Sequence, residues 1–189
     1  MEKVGVLHVI LNPGGGAWTV IRVLSCWQKE RMPVAIGIGY RKKSVPNLSI
    51  TESKGMDIPI FLFNPSIDFP NSSAILLPPL RKWYKSLQTS DPFVHWVVHF
   101  HNGPGIGFAF WPNISPRPRF PFPALVTFHG IPPEDVIKSL RKPLGQFRTY
   151  LNGFLVRKMW EYGIKLSTLS YASRIELAST YEIPEKAVK

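Results

Sequence analysis

Short apolar runs recur along the chain, and most are followed by segments whose apolar residues are spaced three or four apart. Runs rich in Val, Ile and aromatic residues predict buried β-strands, whereas the wider spacing predicts amphipathic helices. The runs with the strand pattern are Val4–Leu11, Val34–Ile38, Ile58–Phe63, Val94–Phe100, Ala124–Phe128 and Ile164–Leu169. Strands that alternate with helices indicate βαβ units, which connect right-handedly into a parallel sheet covered on both faces.

The segments between these runs carry the helical spacing. Predicted helices run from Ala17 to just before Pro33, over Ala74–Leu87, over Leu144–Tyr162 and over Tyr171–Tyr181. Pro78 and Pro79 fit either the first turn of the second helix or the residues just before a restart of it, and Gly163 fits the end of the third. The remaining predictions are a polar loop over 40–56, a short helix over Gly103–Trp111, an irregular proline-rich insert over Pro112–Pro123 and, after Pro184, the approach to a further strand. The pattern therefore predicts one doubly wound, Rossmann-like α/β domain over residues 1–189.

Length and composition are consistent with that domain. The chain has 189 residues, of which 44% are hydrophobic and 13% aromatic, enough to bury the core of one domain. Cys26 is the only cysteine, which excludes an internal disulfide, and its place on an apolar helix face predicts an inert thiol. No apolar run approaches the roughly 18 to 20 residues that span a bilayer, and the first residues lead directly into a strand. We therefore expect a cytoplasmic protein.

The charge of the chain predicts an anionic partner. Lys and Arg number 23 against 12 Asp and Glu, for a net charge of +11. Arg81, Lys82 and Lys85 are interleaved with Trp83 and Tyr84, a pattern typical of a helix that lies on an anionic membrane surface; a solvated helix face is the alternative. The charge also leaves open a stand-alone Rossmann-like module that binds nucleic acid or another polyanion. No motif for specific nucleic-acid recognition is present.

Two strands end in a histidine followed by a tight turn. Val94–Phe100 leads into His101-Asn102-Gly103, and Ala124–Phe128 leads into His129-Gly130. In open α/β sheets, ligands bind at the carboxyl ends of the strands, so these turns form the candidate site.

A glycine-rich turn, Gly14-Gly15-Gly16, stands between the first strand and the first helix. Its backbone N–H groups and the helix dipole could receive a phosphate, or the glycines could let a sugar approach closely. The alternative is a flexible tight turn.

The histidines of the fourth strand raise the question of a metal. His95, His99 and His101 are separated by even numbers of residues, four and then two, and therefore share one face of the strand. Zinc usually takes three or four ligands with help from cysteine or carboxylate, and neither is near in sequence, so no metal is predicted. His99 is expected to pack between sheet and helix.

Several of these segments, taken in order, carry a resemblance to a known family. They are the Gly-Gly-Gly-Ala-Trp turn at 14–18, the Val-Val-His-Phe-His-Asn-Gly run at 97–103, the Val-Thr-Phe-His-Gly run at 126–130 and the closing stretch at 169–189. The closing stretch is the most specific, with a strand that ends in Ser170 and the turn Tyr181-Glu182-Ile183-Pro184. The chain resembles the N-terminal half of a group-one glycosyltransferase, a retaining enzyme of family four with the two-domain GT-B fold.

The resemblance implies a function and a set of site residues. Such enzymes transfer a sugar from a nucleotide-diphosphate donor to a polysaccharide, lipid-linked or similar acceptor, in a cleft between two Rossmann-like domains. This chain would supply the acceptor side, and the C-terminal donor-binding domain would be absent, so we expect it to be inactive alone. The resemblance implies that His129 hydrogen-bonds the donor sugar or steadies charge near the breaking bond. The expected substrate-binding residues are Gly15, Gly16, His101, Asn102, Gly130 and Ser170, and no cofactor is expected.

Overall fold

The computed structural model describes residues 3–11, 15–39, 55–63, 77–101, 122–130 and 153–189. Within these residues, six strands pair in parallel in the order β3-β2-β1-β4-β5-β6. The strands are β1 Lys3–Leu11, β2 Val34–Gly39, β3 Ile60–Phe63, β4 Val94–His101, β5 Ala124–Phe128 and β6 Lys165–Thr168. The order and the flanking helices confirm the predicted doubly wound, Rossmann-like fold.

The described helices follow the predicted pattern with small shifts at their ends. They are α1 Gly15–Gln28, α2 Leu77–Ser90, α3 over residues 153–161 and α4 Tyr171–Tyr181. Pro78 and Pro79 occupy the first turn of α2, and Gly163, with a φ of 81°, follows the end of α3. Both placements confirm the sequence-based expectations.

Some predicted elements cannot be compared, because they lie outside the described residues. They are most of the polar loop over 40–56, the helix over Gly103–Trp111, most of the insert over Pro112–Pro123 and the first part of the helix over Leu144–Tyr162.

The two faces of the sheet bury separate apolar clusters. On one face, Ile10 and Ile36 pack with Trp18 and Ile21 of α1. On the other face, the strands pack against α2, α3 and α4 through a larger set of side chains that includes Leu80, Trp83, Val98, Phe100, Met159 and Leu177. Because side chains alternate along a strand, β1 sends His8 and Ile10 toward the α1 face and its odd-numbered neighbours toward the other.

The larger cluster depends on one very close approach between sheet and helix. The indole of Trp83, on α2, lies directly against Gly37 of β2, where an added Cβ would come within 2.6 Å of the ring. The same indole stacks on Phe61 of β3, with ring centroids 5.6 Å apart. A residue without a side chain is therefore needed in the middle of β2 for α2 to dock.

Burial on α2 corrects one expectation from the sequence. Leu80, Trp83 and Leu87 are all buried in the core, and Tyr84 is partly buried and donates to the carbonyl of Trp96 at 3.1 Å. These side chains are not available to enter lipid headgroups, so the predicted interfacial role of Trp83 and Tyr84 is wrong. The basic residues of the helix, in contrast, are exposed. Within the part of the chain that the structure describes, no helix is long and apolar enough to cross a membrane.

Residues after α4 return to the edge of the sheet. A short 3-10 helix, Glu185–Ala187, leads to Val188, which forms a parallel bridge with Leu166 of β6. The backbone N–H of Lys189 donates to the carbonyl of Leu166 at 3.0 Å, and that of Thr168 donates to the carbonyl of Lys189 at 3.1 Å. The predicted approach to a further strand is confirmed by this bridge.

The strand order places a topological switch point between β1 and β4. The chain proceeds from β1 to β2 and β3 on one side and from β4 to β5 and β6 on the other. The carboxyl ends of the two central strands therefore border a crevice, which is where ligands bind in sheets of this kind. In the register of the sheet, His8 lies beside His99, and His101 lies between Ile10 and Thr127.

Candidate functional site

Four histidines come together at the switch point, from three different strands. His8 belongs to β1, His99 and His101 belong to β4, and His129 follows the end of β5. Two of them, His8 and His101, are essentially inaccessible to water, with 0% and 1% of their surface exposed. The other two are partly exposed. The side chains meet because alternation along β4 sends His99 and His101 to the face that also carries His8.

Three of the imidazoles form a continuous row of hydrogen bonds that begins at Gln28, the last residue of α1. His8 donates from Nε2 to the amide oxygen Oε1 of Gln28 at 2.7 Å. A neutral ring that donates from Nε2 accepts at Nδ1, so His101 donates from its Nε2 to Nδ1 of His8 at 2.9 Å. By the same rule, His129 donates from its Nε2 to Nδ1 of His101 at 2.7 Å. We call Gln28, His8, His101 and His129 the histidine chain.

His99 lies beside this chain and is held separately. Its Nε2 is 2.8 Å from the hydroxyl oxygen of Thr127 on β5. The centroid of its ring lies 4.2 Å from that of His101 and 5.1 Å from that of His8. The expectation that His99 packs between sheet and helix therefore missed its main neighbours, which are two imidazoles and a hydroxyl.

Burial keeps the cluster neutral. Loss of water lowers the pKa of His8 to about 4, and loss of water together with the nearby His8 and His129 lowers the pKa of His99 to about 3. The pKa of His101 is driven well below its ordinary value by the same causes, burial first. Burial also lowers the pKa of His129. Among the described residues no carboxylate belongs to the group, and the bond to Gln28 offsets only part of the cost of charging His8, so the neutral imidazole is the stable form near pH 7.

The structure brings only part of the predicted site to this place. His101 and His129 are joined directly, and Gly130 is exposed immediately after His129. Gly15 and Gly16 form the first turn of α1, after the carboxyl end of β1, and a Cβ on Gly16 would meet no atom within 4 Å. Asn102 lies outside the described residues.

Ser170 caps the N-terminus of a helix in this fold. It is the N-cap of α4, and its hydroxyl oxygen accepts from the backbone N–H of Ser173 at 3.1 Å. Such a cap satisfies one of the N–H groups that an α-helix leaves unpaired at its start. The residue follows β6, which β5 separates from β4 and β1, the strands of His8, His99 and His101.

The histidines that could hold a metal differ from the trio considered in the sequence. One ring nitrogen from each of His8, His99 and His101 lies within 4.8 Å of the other two. His95 is not a member of this group and is exposed, because it lies near the start of β4. His8 was missed by the sequence analysis. The available signal was a single polar residue in the middle of an otherwise apolar strand, Val4–Leu11.

Comparison with known proteins identifies a structural relative. No family model matches the sequence, and no curated protein matches it. Among solved structures, the chain is similar to the crystal structure of a glycosyltransferase from Rickettsia africae ESF-5, with a TM-score of 0.59 and 18% sequence identity. The match covers 100% of this chain and 42% of that one. At this identity the likeness shows a shared fold, and this chain spans less than half the length of the protein it matches.

Proposed function

We propose that this chain is the N-terminal, acceptor-side domain of a retaining glycosyltransferase with the two-domain GT-B architecture. It would serve transfer of a sugar from a nucleotide-diphosphate donor to a polysaccharide, lipid-linked or similar acceptor. The observation that carries the proposal is the position of His129 and His101. They meet at the carboxyl edge of the sheet, beside the switch point, in a fold shared with a glycosyltransferase.

The length of the match supports the division of labour in this proposal. The whole of this chain corresponds to 42% of the Rickettsia africae protein. A cleft enzyme divides its donor and acceptor contacts between two domains, so one domain lacks the geometry that stabilises the transition state. We therefore expect the chain to need a donor-binding domain for turnover.

The neutral state of His129 supports its proposed contact with a sugar. The bond between Nε2 of His129 and Nδ1 of His101 holds this ring at the carboxyl edge, and a neutral imidazole has one nitrogen that donates and one that accepts. Hydroxyl groups are the hydrogen-bond donors that a sugar offers in greatest number. A neutral acceptor at this position could orient the donor sugar while charge develops at the breaking bond, and positioning of this kind is a large part of catalysis.

The first turn of α1 supports a second contact. Gly15 and Gly16 place backbone N–H groups and the positive end of the helix dipole at the same edge of the sheet. A Cβ at Gly16 would meet open space, so packing within the described residues does not explain the glycine. We propose that a substrate phosphate or sugar approaches the backbone here.

A binding experiment on the isolated chain tests the proposal. The ¹⁵N-labelled protein is titrated with UDP-, GDP-, ADP- and CMP-sugars and with short oligosaccharides, and amide shifts are followed by NMR. We expect weak binding that perturbs Gly16, His129 and Gly130, with His95 unaffected as an internal control.

The same experiment includes a duplex DNA arm, because the net charge of +11 favours any polyanion. Binding driven by charge alone weakens steeply with salt and shows no sequence preference. If DNA perturbs the carboxyl edge and no sugar or nucleotide sugar does, the glycosyltransferase proposal is wrong and the stand-alone polyanion-binding module is favoured.

A further inference from the structure

We propose that His8, His99 and His101 bind one transition-metal ion, with Zn²⁺ as the leading candidate. The first observation is convergence: one ring nitrogen from each residue lies within 4.8 Å of the other two. These residues come from the two strands that flank the switch point, so an ion would join β1 to β4 there. The site does not depend on the proposed glycosyltransferase function.

The second observation is that every ring of the trio is held from outside by a different partner. Gln28 binds Nε2 of His8, Thr127 binds Nε2 of His99, and His129 binds Nδ1 of His101. Each partner occupies one nitrogen and leaves the other nitrogen of the same ring to bind an ion. Histidine ligands in metal sites are held in this way, since a bond to the outer nitrogen fixes the orientation and the tautomer of the ring.

The distance between the ligand nitrogens of His8 and His101 fits an ion after a small expansion. Nδ1 of His8 and Nε2 of His101 are 2.9 Å apart, with one proton shared between them. Two nitrogens at about 2.0 to 2.1 Å from a tetrahedral Zn²⁺ lie roughly 3.3 Å apart. Replacing the proton by an ion therefore needs these atoms to separate by a few tenths of an ångström, while the bonds to Gln28 and His129 stay in place.

The three imidazole ligands determine which class of metal ion would bind. Imidazole nitrogen suits Zn²⁺, Co²⁺, Ni²⁺ and Cu²⁺, whereas Mg²⁺ and Ca²⁺ require oxygen ligands. The rings are already neutral because of burial, so no proton has to leave a cationic imidazole before the ion binds. Three protein nitrogens leave a fourth tetrahedral position for water or another ligand, as in zinc sites that remain open.

Metal binding would also change the proton on His129. With Nε2 of His101 on the ion, its Nδ1 carries the proton and donates to Nε2 of His129. The proton of His129 then moves to its own Nδ1, which changes from a hydrogen-bond acceptor to a donor. The ion would thus act on His129 through His101, without contacting it.

The test uses the whole chain after treatment with a chelator. Calorimetric titration with ZnCl₂ should give one equivalent bound with a Kd in the micromolar range or below, and MgCl₂ should give none. Titration with Co²⁺ should produce the visible absorption of a tetrahedral site. In ¹⁵N spectra of the wild-type protein, Zn²⁺ should shift ring nitrogens of His8, His99 and His101 and exchange the protonated nitrogen of His129, while His95 stays unchanged.

Matched variants locate the site. His99→Gln, at a partly exposed position, should weaken Zn²⁺ binding by about a hundredfold or more, and Thr127→Val should weaken it by about tenfold through loss of an outer partner. His95→Gln, on the same strand, should bind as the wild type does. The proposal is overturned if the wild-type chain binds no stoichiometric Zn²⁺, if His99→Gln binds as tightly as the wild type, or if Zn²⁺ shifts only His95. The spectra of the wild-type chain decide the matter even where a variant does not fold.

Discussion

His129 is the residue on which the proposed chemistry depends most directly. It follows β5, is partly exposed and is joined to the buried part of the cluster by its bond to His101. These features separate it from His8 and His101, whose removal would leave an unpaired buried nitrogen and endanger the fold. Substitution at 129 should therefore affect function more than stability.

We predict that His129→Ala lowers turnover of the two-domain enzyme on the order of a hundredfold. A hydrogen bond that strengthens in the transition state contributes roughly 2 to 4 kcal/mol, whereas donor affinity would be set mostly by the other domain. Steady-state kinetics with the nucleotide-sugar donor would show a fall in kcat with little change in KM. His95→Ala is the control, since this residue is exposed on the strand next to β5. Near-normal turnover by His129→Ala would remove this residue from the site.

Sequence reasoning named His101 and His129 as candidates but missed His8 and Gln28, and the reason is physical. A histidine at the end of an apolar strand and next to a glycine turn indicates, from the local sequence alone, a position at the carboxyl edge of a sheet. His8 and His101 are bonded across 93 positions of the chain, and the bond depends on which strand lies beside β1. Local periodicity does not reveal the order of the strands, so neither the cluster nor the role of Gln28 could be deduced before the sheet was known.

At the scale of elements, the contact between Gly37 and Trp83 is the most demanding. The indole also stacks on Phe61 and is buried in the core, so packing leaves it little room to move away from an added methyl group.

We predict that Gly37→Ala destabilises the protein by about 1 to 3 kcal/mol, the usual range for overpacking a filled core. Urea unfolding followed by circular dichroism measures the change. Gly16→Ala is the matched control, because its Cβ would meet open space within a helix, and it should be neutral or slightly stabilising. Equal stability of Gly37→Ala and the wild type would mean that α2 docks less closely than described.

The exposed basic residues of α2 support a separate prediction, that this helix binds an anionic membrane surface. Arg81, Lys82 and Lys85 are exposed, whereas the apolar side of the helix is buried in the core. Each basic residue near an anionic surface contributes on the order of 1 kcal/mol.

We predict salt-sensitive binding to vesicles that contain anionic lipid, and little binding to neutral vesicles, by co-sedimentation. Changing Arg81, Lys82 and Lys85 together to Glu should abolish it. Changing Lys165, Lys186 and Lys189 to Glu makes the same alteration of charge on exposed residues elsewhere and should have a smaller effect. If both triple variants lose binding equally, net charge is responsible and α2 is not the membrane-facing element.

Periodicity located the elements well, and its errors at their ends have local causes. The third strand was predicted from Ile58 but begins at Ile60, because Pro59 has no N–H to donate to a ladder. α1 was predicted from Ala17 but begins at Gly15, since the first turn of a helix needs no intrahelical N–H bonds and tolerates glycine. Periodicity does not show which face of a helix is exposed. For this reason the aromatic residues of α2 were predicted to contact lipid, although they face the core.

For the whole molecule, the neutral cluster ties the free energy of unfolding to pH. The pKa values of His8 and His99 are lowered to about 4 and about 3, whereas an unfolded histidine titrates near 6.5. Between these values the unfolded chain binds more protons than the folded one, so stability falls as the pH falls below about 6.5. Above that pH these histidines are neutral in both the folded and the unfolded state, so they contribute no pH dependence to the free energy of unfolding.

We predict that the metal-free chain loses about 1 kcal/mol of unfolding free energy for each of His8, His99 and His101 between pH 7 and pH 5.5. Urea titrations in the presence of a chelator at several pH values measure the slope. The range from pH 7.5 to 8.5 is the internal control and should be flat. A stability that does not change between pH 7 and 5.5 would show that the imidazoles are solvated in the folded state.

The histidine chain obeys the same constraint as a row of water molecules in ice. Each neutral ring has one nitrogen that donates a hydrogen bond and one that accepts. If the hydrogen bond at one end of the row reverses its direction, every other hydrogen bond of the row must reverse as well. Otherwise one pair of facing nitrogens would hold two protons or none. Rotation of the Gln28 amide by half a turn would present N–H₂ to His8 and drive such a reversal as far as His129. A side chain at the end of α1 could in this way set whether the imidazole at the carboxyl edge gives or receives a proton, with no change in the position of any ring.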